Sequence, residues 1–155
     1  MNAREYLESF RYSEKKIELK ISQVQKLHES LTMLSAPMDK EQVSHSRNVS
    51  IMAETVAQIV DMEREIDQQT AELFQKKRHA FALLDKIDPM EASILIEHYI
   101  DAKTLKKISE DLFITERHVC RRIHDAISHF QKVLDSEPDE IEEANRFEIL
   151  SENAS

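Results

Sequence analysis

Glycine is the most conspicuous absence from this sequence: none occurs among 155 residues, and there are only three prolines. Tight turns between β-strands depend heavily on these two residues, so a fold built from many short strands is excluded. The sequence therefore predicts an all-α fold, with helices long enough to need few turns.

Other absences narrow the class of protein further. Cys120 is the single cysteine, which excludes an internal disulfide and fits a reducing compartment. No run of 18 apolar residues is present, so we expect no membrane span. The opening residues MNAREYLESF are charged and lack an apolar core, so we expect no secretory signal. A cytoplasmic protein without membrane association is the resulting expectation.

The sequence also lacks the combinations of residues that catalysis requires. There is no evident nucleophile-base pair, no phosphate-binding glycine loop and no pair of acids in a credible pocket. Cys120 and His124 are four residues apart, but two ligands do not make a metal site, and no well-spaced third and fourth ligands accompany them. We therefore expect no enzyme activity, no cofactor and no metal.

Charge is spread very unevenly along a chain whose formal net charge is -9. Residues 1–100 carry a net of -4 and residues 101–134 a net of +2, whereas residues 135–155 carry -7. The acidity that would oppose nucleic-acid binding is therefore concentrated in the last 21 residues, which we expect to form a flexible tail.

Apolar residues recur every seven positions in the first half of the chain. The two repeats are Phe10, Ile17, Val24 and Leu31, then Met52, Ile59, Ile66, Leu73 and Ala80. They predict two long helices, over residues 3–34 and 51–86, joined by a polar connector over residues 38–50. Two such helices most simply pair as an antiparallel hairpin or coiled coil, and a second copy would bury more of its thin seam. Residues 1–87 are therefore expected to mediate self-association, with packing on the rest of the same chain as the alternative.

Capping signals define three further helices in residues 88–134. Asp88, Pro89 and Glu91 form a helix-start signature, Thr104 begins a short helix to about Leu112, and Thr115 begins a longer one to about Leu134. A short helix, a turn of about three residues and a longer helix with basic side chains is the arrangement of a helix-turn-helix. Turns of this kind often carry glycine where Phe113 stands, so either Phe113 is left-handed or the turn is longer.

The exposed face of the last helix supplies the candidate DNA-binding residues. Glu116, Arg117, Cys120, Arg121 and His124 lie opposite the apolar stripe that begins at Val119 and Ile123. Arginine can donate two hydrogen bonds to guanine, and glutamate can accept one from cytosine.

Further candidates lie beside that face. Arg122 borders the apolar stripe and either reaches DNA or pairs with an acid of its own domain. Phosphate contacts are expected from Thr104, Lys106 and Lys107. Thr115, the cap of the reading helix, is also a candidate DNA-binding residue. The alternative is that these arginines form an ordinary helix face that contacts only solvent and no DNA.

The stretch TLKKISEDLFITERHVCRRIHDAI, residues 104–127, resembles region 4 of bacterial sigma factors, which reads the -35 promoter element. The whole chain is similar to phage and prophage regulators of Gram-positive bacteria that combine a helical hairpin with such a domain. This resemblance implies a sequence-specific transcriptional regulator that binds double-stranded DNA and in its bacterial host, by analogy, contacts RNA polymerase. The hairpin adds the expectation that the protein binds DNA as a homo-oligomer.

Two other functions fit the same pattern. A small terminase subunit of a phage packaging machine also combines a helix-turn-helix with a coiled coil, although its DNA-binding unit usually comes first. A helical adaptor that binds only protein is the second alternative.

Overall fold

The computed structural model describes residues 1–35 and 45–137, and all regular structure in these residues is helical. The helices are α1 (Ala3–Ser35), α2 (His45–Leu84), α3 (Pro89–Leu95), α4 (Leu105–Leu112) and α5 (Glu116–Ser136), and α3 continues as a π-helical turn over Ile96–Ile100. The predicted all-α class is confirmed. Two predictions fall wholly or mostly outside the described residues: the connector before residue 45 and the acidic tail after residue 137.

Helix α2 begins earlier than predicted. Residues 45–50 are helical, whereas the polar stretch up to Ser50 suggested a connector. The apolar repeat begins only at Ile51 and Met52, so periodicity could not detect these first polar turns.

The chain divides into two compact units, and α1 and α2 contribute to both. The first unit comprises Met1–Arg11 and the chain from Arg78 onward, and the second comprises Tyr12–Lys77. This division differs from the boundary expected between residues 87 and 88.

In the second unit, α1 and α2 form an antiparallel hairpin. Two ion pairs and one histidine–glutamate contact join the helices in reversed order along the chain: Glu14 with Lys77, Lys20 with Glu65 at 2.8 Å, and His28 with Glu63 at 3.6 Å. Burial follows the predicted seven-residue repeat, since Val24 and Ile59 are buried and the other repeat positions of this unit are half-buried. Glu14 and Lys77, two polar interruptions of the apolar seam, are neutralised by each other.

In the first unit, the start of α1 packs on α5. Tyr6, Leu7 and Phe10 are buried, and the ring of Tyr6 lies 6.2 Å from that of Phe130. The Gln131 side chain fixes the register, because its Oε1 accepts from the Ala3 amide at 2.7 Å and its Nε2 donates to the Met1 carbonyl at 2.8 Å. The first eleven residues therefore belong to the core that supports α5.

The helix-start signature before α3 is confirmed. The Asp88 side chain accepts from the amides of Met90 and Glu91 at 3.1 and 3.3 Å, and Pro89 is the first helical residue. The π-helical turn that follows brings Tyr99 and Ile100 into the core.

Phe130 tests how much this core stabilises the unit. It is fully buried, so Phe130→Ala should lower the free energy of unfolding by about 3–5 kcal/mol. Urea unfolding followed by circular dichroism measures this change. Phe113→Ala is the matched control, because Phe113 is 94% exposed and its truncation should change stability by less than about 0.5 kcal/mol. Equal losses in the two variants would contradict the assigned core.

Candidate nucleic-acid interface

Two threonine caps set the start of α4 and of α5. The Thr104 hydroxyl accepts from the Lys107 amide, and the Thr115 hydroxyl accepts from the His118 amide, both at 3.2 Å. Both predicted caps are confirmed. Each hydroxyl keeps its own proton available for donation to another acceptor.

The turn between α4 and α5 is the short form, and Phe113 adopts the left-handed conformation. Its φ is 56° and its ψ is 38°, and the Ile114 amide donates to the Ser109 carbonyl at 3.1 Å. This hydrogen bond is that of a Schellman motif, which glycine usually completes. A residue with a side chain costs roughly 1–2 kcal/mol in this conformation. The alternative of a longer turn is not what the structure adopts.

One face of α5 is anchored in the core, packed against α3 and α4. The buried residues of this face are Val119, Ile123, Ala126 and Phe130. Ala126 rather than Ile127 is buried, which resolves the choice that periodicity left open, and Leu134 is only half-buried. On α4, Ile108 is fully buried and the Ser109 hydroxyl donates to the Lys106 carbonyl at 2.7 Å.

The opposite face of α5 carries the predicted reading residues, and all of them are exposed. They are Glu116, Arg117, Cys120, Arg121 and His124. Arg122 is half-buried beside the core stripe. Within residues 1–35 and 45–137, none of these three arginines forms an ion pair, including Arg122, for which an acidic partner was one alternative. Among the described residues, no acid competes with an external anion for these three charges.

The lysines around α4 differ in their surroundings. Lys107 lies 3.3 Å from Asp111, whereas Lys106 is exposed and forms no ion pair with any described residue. Lys103 lies 3.4 Å from Glu97 and 3.7 Å from Asp111. It was not among the phosphate-contacting candidates predicted from the sequence. Its spacing of four residues from Lys107 was the available signal. Exposed pairs of this kind contribute little stability, so a phosphate can compete with Asp111 for either lysine.

Two histidines make contacts that support the unit, His129 at its surface and the half-buried His98. His129 Nδ1 lies 2.7 Å from Glu91 Oε2 and so connects α5 to α3. Burial lowers the pKa of His98, whereas a hydrogen bond to the Lys103 carbonyl, at 3.1 Å from His98 Nδ1, opposes that shift. Sequence reasoning had given neither residue this supporting role.

In the part of the chain that the structure describes, no group of three or more His, Cys, Asp or Glu side chains is placed to hold a metal ion, and Cys120 is exposed and free. Among the helices of the same residues, none is long and apolar enough to cross a membrane.

A short helix, a three-residue turn and a capped helix whose basic face points outward define a helix-turn-helix unit. Residues 83–132 match the family model of sigma-70, region 4. That region is a DNA-binding regulatory domain rather than a catalytic one, and residues 83–132 are a sigma-70 region 4-like helix-turn-helix domain. The match covers about a third of the chain. No curated protein and no solved structure matches this chain.

Ala102 and Phe113 test the conformational cost of the two left-handed residues. Both have a φ of 56°, both are exposed, and they precede α4 and α5 respectively. Ala102→Gly and Phe113→Gly should each raise the free energy of unfolding by about 1 kcal/mol, because glycine adopts this conformation without a steric penalty. Urea unfolding checks both. Ala53→Gly, an exposed position within α2, is the control and should lower stability by about 1 kcal/mol. A loss of stability in Phe113→Gly would mean that the Phe113 side chain packs in the folded unit.

Proposed function

We propose that this protein is a sequence-specific DNA-binding transcriptional regulator, encoded by a phage or prophage and acting in the cytoplasm of its bacterial host. One observation carries the proposal. Arg117 and Arg121 are exposed on the outer face of the second helix of a helix-turn-helix, and no acidic side chain of the described residues neutralises them. An exposed guanidinium group at each of these positions can donate two hydrogen bonds to the O6 and N7 atoms of a guanine in the major groove.

Each candidate residue has a role that follows from its place. Arg117 and Arg121 donate to guanine O6 and N7, and Glu116, in the first turn of α5, accepts from cytosine N4. Cys120 and His124 lie on the same face and are close enough to contact neighbouring bases. Arg122 lies nearer the core and serves a phosphate at the edge of the groove.

Positioning on the duplex is assigned to the residues around α4. Lys106 contacts phosphate directly, and Lys107 and Lys103 do so in exchange for Asp111. Thr104 and Thr115 accept from backbone amides and so have hydroxyl protons free for phosphate oxygens. Contacts of this kind orient the protein without selecting a sequence.

Self-association through the hairpin is the second element of the proposal. Beyond the residues that α1 and α2 bury together, Leu19, Val60 and Phe74 are 56%, 40% and 69% exposed. A second copy of the hairpin is the occupant best suited to cover them, and a dimer would place two reading helices on two half-sites. By analogy with sigma region 4, contact with RNA polymerase is a further part of the proposal.

The arginines test DNA binding directly. Arg117→Ala combined with Arg121→Ala should weaken binding to a 30-base-pair random-sequence duplex by about 10-fold or more. On random-sequence DNA, where no guanine contact is selected, these two charges act on backbone phosphates, so the slope of log affinity against log salt should become shallower by up to about 2. Fluorescence anisotropy across a salt series measures both quantities.

Arg47→Ala with Arg64→Ala is the control for that experiment. It removes the same charge from exposed positions of α2 and should leave affinity and salt slope nearly unchanged. Unchanged binding in the Arg117/Arg121 variant, or wild-type binding that does not respond to salt, would instead favour the protein-only adaptor.

Sedimentation analysis tests the hairpin. The wild-type protein should form a dimer or a higher assembly, and Phe74→Glu should shift it toward the monomer, because a buried charge replaces an apolar contact. Glu72→Gln, an exposed neighbour on α2, should leave the assembly intact. A monomer at all concentrations would contradict self-association, and a closed ring would favour the terminase-like alternative.

A further inference from the structure

Phe113 is an aromatic residue that the fold does not use. Its side chain is 94% exposed, the largest exposure among the large apolar residues that the structure describes as exposed. Its backbone has a φ of 56°, in the region that favours glycine. The residue thus costs conformational energy and leaves a large apolar surface in water, and no packing within the described chain compensates for either.

The place of Phe113 links it to the proposed reading surface. It lies two residues before the Thr115 cap, so its Cα is within about 8 Å of the Cα of that cap. Glu116 and Arg117 follow in the first turn of α5, and both are exposed. A duplex whose bases meet Glu116 and Arg117 therefore brings its backbone and groove wall close to the Phe113 ring.

The surroundings of Phe113 argue against a protein interface. The nearest exposed residues in sequence are polar or charged, namely Glu110, Asp111, Thr115, Glu116 and Arg117. Three of them are acids and disfavour phosphate, so the ring itself must make the contact through an apolar surface. Interfaces with other proteins usually use contiguous apolar patches, and an isolated aromatic ring among polar groups does not form one. DNA offers small apolar surfaces between its polar edges, and phenylalanine is one of the side chains that contact the thymine methyl group.

We propose that Phe113 is a DNA-contacting residue whose ring packs on an apolar surface of the duplex, beside the bases read by Glu116 and Arg117. The surface is either a thymine methyl group in the major groove or the C–H face of a deoxyribose. The inference rests on the proposed DNA-binding function and adds a contact residue to it. In this proposal, the ring stabilises the DNA complex and so offsets the conformational cost of Phe113 in the folded protein.

The experiment compares Phe113→Gly with Ala102→Gly. Both replace an exposed residue at the same φ, so both should be more stable than the wild type, and only the first removes a ring. The DNA probe is the duplex most enriched by the wild-type protein from a random library, and affinity is measured by fluorescence anisotropy. Phe113→Gly should weaken binding by about 5- to 20-fold, whereas Ala102→Gly should stay within about 2-fold of wild type. Phe113→Leu keeps an apolar side chain and should retain most of the affinity.

Replacement of each thymine by deoxyuridine distinguishes the two apolar surfaces. If the ring packs on a methyl group, one such replacement should weaken the wild type and leave Phe113→Gly unaffected. If the ring packs on deoxyribose, no replacement should matter, and Phe113→Gly should weaken binding to random DNA by the same factor. Either result supports the contact.

A stabilised Phe113→Gly variant that binds the selected duplex as tightly as the wild type would overturn the inference, and Phe113 would then be assigned to a protein interface. That failure is distinguishable from failure of the proposed function. If only the inference were wrong, the Arg117/Arg121 variant would still bind DNA more weakly than the wild type. If the proposed function were wrong, neither the wild type nor any variant would bind DNA.

Discussion

The buried stripe of α5 determines which way the proposed base-contacting side chains of that helix point. These are Glu116, Arg117, Cys120, Arg121 and His124. Val119, Ile123, Ala126 and Phe130 hold one face of α5 in the core, so the arginines on the opposite face must point outward. Phe130 has a second role, because the first turns of α1 pack on it through Tyr6. The core beneath α5 therefore includes residues from the start of the chain, in addition to those of α3 and α4.

Charge distribution explains how an acidic chain carries a DNA-binding domain. The formal net charge is -9, but residues 101–134 carry a net of +2. What matters at close range is the local field, since charges separated by more than about 10 Å are largely screened at moderate salt. Within the described residues, acids pair with Lys103 and Lys107, whereas Lys106 and the arginines of α5 have no acidic partner. In that part of the chain, the positive charge is therefore not neutralised where base contacts would be made.

Much of this arrangement could be predicted from sequence, because it depends on local signals. Seven-residue periodicity predicted the hairpin, and Asp88, Thr104 and Thr115 marked the start of three helices. The missing glycine pointed to Phe113 as an unusual turn residue, but its exposure depends on packing and could not be read from the chain. The packing of residues 1–11 beside α5 was equally invisible, since it joins residues about 130 positions apart. The role of Lys103 was missed because its acidic partners are defined by the turn before α4.

The central claim is that the helix-turn-helix of this protein reads DNA sequence, and selection from a random duplex library by the purified full-length protein tests it most directly. The account predicts enrichment of a short motif containing guanines, as expected for arginine contacts in the major groove. If the hairpin pairs two copies, the motif should recur at a spacing of about one helical turn or a multiple of it. Bound DNA with the same composition as the input library, at a salt concentration where binding persists, would contradict the account.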